Sequence, residues 1–145
     1  MLSTVASATT LGINACFVRI EVDVTAGLPQ MALVGLPDQA VKESKERVKA
    51  AIKNSGFPFP SKKIIVNLAP ADLKKEGPAF DLPIAVGILS SLGYVQSEAC
   101  QKFVLIGELA LDGSLRRVRG VLPIASLLKN TGLKPLTPLK GRKRW

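Results

Sequence analysis

Apolar and polar residues alternate through NACFVRIEVDVT, with Cys16, Val18, Ile20, Val22 and Val24 on one side and Phe17, Arg19, Glu21 and Asp23 on the other. Period two marks a strand with one buried face. A weaker strand over roughly residues 2–10 precedes it, and MALVG, after the turn residues AGLPQ, follows as a third. The period then lengthens. In LPDQAVKESKERVKAAIKNSGF, Val41, Ser44, Val48, Ala51 and Ile52 recur at three and four residues, the narrow stripe of one helix. Asp38 is placed to cap its start, Glu43 and Arg47 to pair across one turn, and Gly56 to take the left-handed position after its end.

FPFPS interrupts the chain, KKIIVNL returns to a strand, and APADLKKEGPAF is a loop. Asp81 is placed to cap a second helix, with Pro83 tolerated in the first turn. KFVLIGELALDGSLRRV predicts two strands around a Leu-Asp-Gly turn, and GVLPIASLLKNTG a short helix ending at Gly132. The order is β-β-β-α-β-α, then a hairpin and a helix. It predicts an α/β (α+β) two-layer sandwich whose helices cover one sheet face.

With 145 residues and 47% apolar content, the chain is long enough for one domain with a core of its own. Cys16 and Cys100 have neither CxxC nor metal-ligand spacing and are expected as two buried free thiols in a reducing compartment. The first residues lack a basic start and a sustained apolar run, and LPIAVGILSSL is short of a membrane span, so a cytoplasmic location without membrane contact is expected.

Charge divides the chain. Six of the nine net positive charges fall after residue 128, in Lys129, Lys134, Lys140, Arg142, Lys143 and Arg144, with no acid among them. Residues 1–132 are therefore expected as the domain, and 133–145 as a Pro-containing basic tail. Candidate contacts to nucleic-acid phosphates are Lys62, Lys63, Lys74, Lys75, Arg116, Arg117 and Arg119 in the body and Lys140, Arg142, Lys143 and Arg144 in the tail. Alternate strand residues face opposite ways, so these cannot form one stripe. The seven aromatic residues are too scattered for a base-stacking platform, which leaves salt-dependent phosphate contacts as the expected mode.

Catalytic options are few. The chain has no histidine, which removes His-based triads and histidine metal ligands. No Gly-Lys pair occurs, so a P-loop is excluded from these residues. A Ser–Lys dyad remains, with Ser44, Ser55, Ser61, Ser90, Ser91, Ser97, Ser114 and Ser126 as candidate serines. Ser44, Ser90 and Ser91 read as small helix-packing residues.

GLPDQAVKESKERVKAAIKNSGF, KKIIVNLAPADLKKEGPAFDLPIA and GELALDGSLRRVRGVLP resemble the N-terminal domain of the magnesium-chelatase-like AAA+ proteins of the ComM competence family, over residues 1 to about 130. The resemblance implies a fold like the second domain of ribosomal protein S5, shared with the Lon proteolytic domain, and a left-handed crossover. It implies that the chain is the front of a hexameric DNA branch-migration motor whose AAA+ module would bind ATP and magnesium; no cofactor is implied for this part. After Lys129 the expected continuation gives way to the basic tail, which reads as a truncated or frameshifted end.

Beside the Lon-type motif, KEGPAFD puts Ala79 in the place of the nucleophilic serine, and GELALDGSLRRVRGVL puts Leu122 in the place of the dyad lysine. Lys74, Lys75 and Lys129 are the remaining nearby bases. The resemblance thus implies a domain inert as a peptidase, serving assembly or nucleic-acid engagement. The alternatives are a hydrolase with a relocated nucleophile and a pseudo-protease that binds peptide in the old cleft.

Overall fold

The computed structural model describes residues 1–136. Lys140, Arg142, Lys143 and Arg144 lie outside the described residues. A long hairpin opens the chain, β1 (Leu2–Leu11) antiparallel to β2 (Asn14–Thr25) with Val5 opposite Ile20. β3 (Gln30–Val34) is followed by α1 (Gln39–Lys42), α2 (Ser44–Asn54) and β4 (Lys63–Ala69). β4 lies antiparallel to β2 and parallel to β3, giving the sheet order β1-β2-β4-β3. Then come α3 (Asp81–Ser91), a one-turn α4 (Ser97–Cys100) and β5 (Phe103–Leu105). β6 (Glu108–Leu109) pairs with β7 (Leu115–Arg116) across the predicted turn, and α5 (Val121–Leu128) and β8 (Lys134–Leu136) complete the order. The molecule is a mixed α/β fold, as the alternating periods predict.

The main core is built by that alternation. Val18, Ile20, Val22 and Val24 of β2 and Ile64, Val66 and Leu68 of β4 are buried beneath Val48 and Ile52 of α2 and Ile84 and Ile88 of α3. α3 comes as close to the sheet as glycine permits: a Cβ on Gly87 would lie 2.6 Å from Val22 Cγ2. Ser3 Oγ donates to the Gly87 carbonyl at 2.6 Å, fastening β1 to the same turn.

Five expectations change. The helices do not all serve one face. Ala8, opposite Phe17, has the other parity from Val5, and it is buried in a second cluster with Val104, Ile106, Ile124 and Leu128. The single helix predicted within residues 36–57 is interrupted at Glu43, where the Ala40 carbonyl accepts from Arg47 Nη2 at 3.0 Å, a side chain inserted at the joint. Asp81 is the first residue of α3 and makes no cap; Phe80 holds the cap position. The last helix ends at Leu128, not Gly132, because Thr131 takes the Leu128 carbonyl with its N–H (3.0 Å) and hydroxyl (2.6 Å), and Asn130 adopts the left-handed turn at φ 68°. Cys100 is buried but Cys16 is only half-buried.

Lys134–Leu136, within the segment read as tail, pair in parallel with Phe103–Leu105. No described helix is long and apolar enough to cross a membrane.

Candidate functional site

The start of α3 organises the polar interior. Asp81 is fully buried and accepts from four groups: Ser44 Oγ at 2.5 Å, Arg47 Nε at 2.6 Å, Arg47 Nη2 at 3.1 Å and the Leu109 N–H at 3.0 Å. The hydrogen bond to Asp81 raises the Arg47 pKa against the opposing effect of burial. Glu43 is also beside Arg47, at 3.7 Å, as its spacing predicts, but Asp81 is the closer partner. Ser44 beside a carboxylate has the composition of an activated hydroxyl. It is fully buried, and the carboxylate is already engaged by the guanidinium and a backbone N–H, so the trio joins α2, α3 and β6.

The loop before α3 lies under a second constraint. Lys75 extends parallel to Pro37, with its N–H donating to Leu36 O and its carbonyl accepting from Asp38 N, each at 2.9 Å. Asp38 caps α1 by accepting from Val41 N at 2.8 Å, and its other oxygen accepts from Gly77 N at 3.3 Å. The Lys75 side chain is 0% exposed and its ammonium donates to the Pro70 carbonyl. Burial pushes its pKa below the ordinary lysine range, with Asp72 and Cys16 acting the other way. This corrects the sequence reading, which put Lys75 among the phosphate-binding cations. A side chain so enclosed reaches no phosphate.

Gly77–Phe80 then form one wall of a cleft of about 340 Å³, closed by the end of β1, by Ile106 and Glu108, and by the loop before α5. Ala79 lines it with a methyl group, and its carbonyl accepts from Gly107 N at 2.9 Å. The polar side chains around it are Thr9, Thr10, Glu76, Glu108, Arg117 and Arg119. Leu122, in the first turn of α5, is 83% exposed and is not part of the wall.

Among the described residues no serine hydroxyl is hydrogen-bonded to a lysine; Ser91 donates to Met1 O, and Ser114 to Asp112 at 2.7 Å in the hairpin turn. That hydrogen bond holds the Asp112 carboxyl below its usual range, the wrong direction for a base. Burial raises the Cys100 thiol pKa, so it too is a poor nucleophile.

The candidate cations are dispersed. Arg117 and Arg119 reach the cleft, Arg116 is exposed on β7, Lys74 is 3.7 Å from Glu76, and Lys63 is half-buried at the start of β4. Lys62 lines a different cavity, of about 350 Å³, with Lys45, Lys49 and Lys53 of α2. Those three were missed in the sequence. Their four-residue spacing, flanking the Val48–Ile52 stripe, is the signal that identifies them.

A family model described as subunit ChlI of Mg-chelatase matches residues 20–138. YifB of Escherichia coli (strain K12) is 45% identical over 133 residues, covering 92% of this chain and 26% of that protein. The competence protein ComM of Haemophilus influenzae is 48% identical over 122 residues, 84% of this chain and 24% of ComM. YifB of Salmonella typhimurium is 50% identical over 116 residues, 80% of this chain and 23% of that protein. The chain thus spans about a quarter of the length of these relatives. With most of its length inside one family model and near-half identity to ComM and YifB, the chain belongs to the ChlI family of Mg-chelatase subunits, as a ComM-like member.

Proposed function

We propose that these residues are a non-catalytic N-terminal module of a ComM-like DNA-processing protein, serving assembly or nucleic-acid engagement. The observation that carries this reading is the cleft. Where the Lon-type resemblance calls for serine and lysine, Ala79 contributes a methyl group and Leu122 is 83% exposed. A nucleophile needs a base within hydrogen-bond reach, and neither threonine of the cleft makes a described hydrogen bond through its hydroxyl.

The parallel neighbours β3 and β4, with α1 and α2 between them, support reading the fold as S5-like. ATP, magnesium and hexamer formation are assigned in this reading to the remaining three quarters of the parent, and the name competence protein of one relative supports a role in transformation. A cytoplasmic location follows from that role.

Fluorophosphonate labelling of the purified chain tests the non-catalytic part. No serine is expected to react, and labelling accompanied by peptide cleavage that survives stringent purification overturns it.

A further inference from the structure

We propose that the groove between α2 and the residues leading into β4 binds the sugar–phosphate backbone of a single-stranded nucleic acid. The inference rests on the nucleic-acid reading above and assigns it a surface. Lys45, Lys49, Lys53 and Lys62 face a cavity of about 350 Å³ whose one carboxylate is Glu46 and whose apolar wall includes Phe59. The lining carries a net charge of +3, from four lysines and one glutamate.

Lysines on the outer face of a helix are ordinary when acids one turn away accompany them. Here the residue one turn on from Lys45 is Lys49, and the next is Lys53, so like charges stack along the axis. None of the four lysines is in an ion pair among the described residues, and Glu43, the other acid of this stretch, is beside Arg47. Lys49 Nζ sits 5.8 Å from the centre of the Phe59 ring, its one described aromatic contact. An anion arriving here meets four ammonium groups against the single carboxylate of Glu46, and it relieves the repulsion among the lysines.

The spacing suits a phosphate chain. Four helical residues advance about 6 Å along the axis, so Lys45, Lys49 and Lys53 present an evenly spaced row of charge of the kind a repeating phosphate backbone follows. The chemistry of the donors points the same way. The groove has no arginine fork of the kind that matches a carboxylate bidentately; lysines act as point charges, which suits phosphate oxygens and leaves an acidic peptide the poorer fit. Phe59 supplies apolar contact to a base without regard to its identity.

Fluorescence anisotropy with a labelled oligo-thymidine and the full chain tests this. At about 50 mM salt, Lys45→Gln/Lys49→Gln/Lys53→Gln is expected to bind at least about tenfold more weakly, with a salt slope reduced by about 2, the sum of about 0.7 per lost contact. Lys45→Arg/Lys49→Arg/Lys53→Arg keeps the charge and is expected to keep the binding. Lys62→Gln, off the helix, weakens binding severalfold by itself and guards against a triple variant that fails to fold. Wild-type binding that survives the glutamine variants but is lost in Arg117→Gln/Arg119→Gln overturns the groove and leaves the nucleic-acid reading standing. No wild-type binding to single- or double-stranded DNA overturns both. Tighter binding of polyglutamate than of the oligonucleotide overturns the nucleic-acid assignment in favour of an acidic protein partner.

Discussion

Two cavities of nearly equal volume, about 350 and 340 Å³, lie on different parts of this molecule and differ in the balance of charge around them. The cleft at Ala79 is bordered by Glu76 and Glu108 against Arg117 and Arg119, two charges of each sign. The groove beside α2 has four lysines against one glutamate. Size does not separate the two; composition does. In the proposed reading the cleft takes the place of the Lon-type site, with the methyl group of Ala79 where the motif has its serine. The groove has no catalytic composition, and its excess charge is what a binding surface for an anion requires.

Asp81 connects the two regions. Through Ser44 and Arg47 it holds the helix that carries the lysines, and through the Leu109 N–H it holds the strand beside the cleft. Removing the carboxylate leaves a partly buried guanidinium, a buried hydroxyl and a backbone N–H without their acceptor. Loss of one partner from a buried ion pair costs about 3–5 kcal/mol, so Asp81→Ala is expected to lower unfolding free energy by about that amount and to loosen both regions together. Urea denaturation measures it. A change below about 1 kcal/mol would mean that cleft and groove are held independently.

Lys75 gives a subtler effect, confined to the cleft side. Its pKa is lowered in the folded state, so just below the ordinary lysine range the unfolded chain holds a proton that the folded chain has released. Stability therefore rises with pH through that window, and the buried ammonium is most unfavourable below it. Lys75→Met is expected to flatten this alkaline rise. Urea titrations of both proteins from neutral pH to about the ordinary lysine pKa near 10.4 check it, and parallel curves would place the lowered pKa elsewhere.

The strands of the sheet were legible because period two reports burial directly: the alternation of Val18, Ile20, Val22 and Val24 is a local property of the chain. The cap at Asp38 and the left-handed Gly56 were legible for the same reason. Asp81 was not, since an acid at a helix start looks the same whether it caps the helix or turns inward to an arginine 34 residues earlier in the chain. Lys75 was misread because a lysine in a polar loop gives no sign that Pro70 will enclose it. Of the site, the missing hydroxyl at Ala79 was legible from the family motif, but the solvent exposure of Leu122 needed coordinates. The α2 lysines were visible in the sequence. A four-residue repeat of lysines on a helix does not by itself show that Phe59 and Lys62 will face it.

The smallest expected effect belongs to the cleft, and it tests whether position alone can make an active site. Ala79→Ser puts a hydroxyl where the family motif has its nucleophile, yet no cleavage of casein or a fluorogenic peptide is expected. Lys75 has the lowered pKa that a general base needs, but its ammonium is committed to the Pro70 carbonyl and its backbone to Leu36 and Asp38. A serine four residues away gains nothing from a base that is locked. Adding Leu122→Lys supplies an amine at the matching position, on a residue 83% exposed. A lysine in solvent keeps an ordinary pKa of about 10.4 and stays protonated at neutral pH, because no desolvation disfavours its charge. The double variant is therefore expected to remain inactive and unreactive toward fluorophosphonate. Turnover by the double variant alone would mean that the cleft still closes around a lysine at position 122. Turnover by Ala79→Ser would make Lys75 a working base, and the difference between an emptied active site and an open binding groove would narrow to a single hydroxyl.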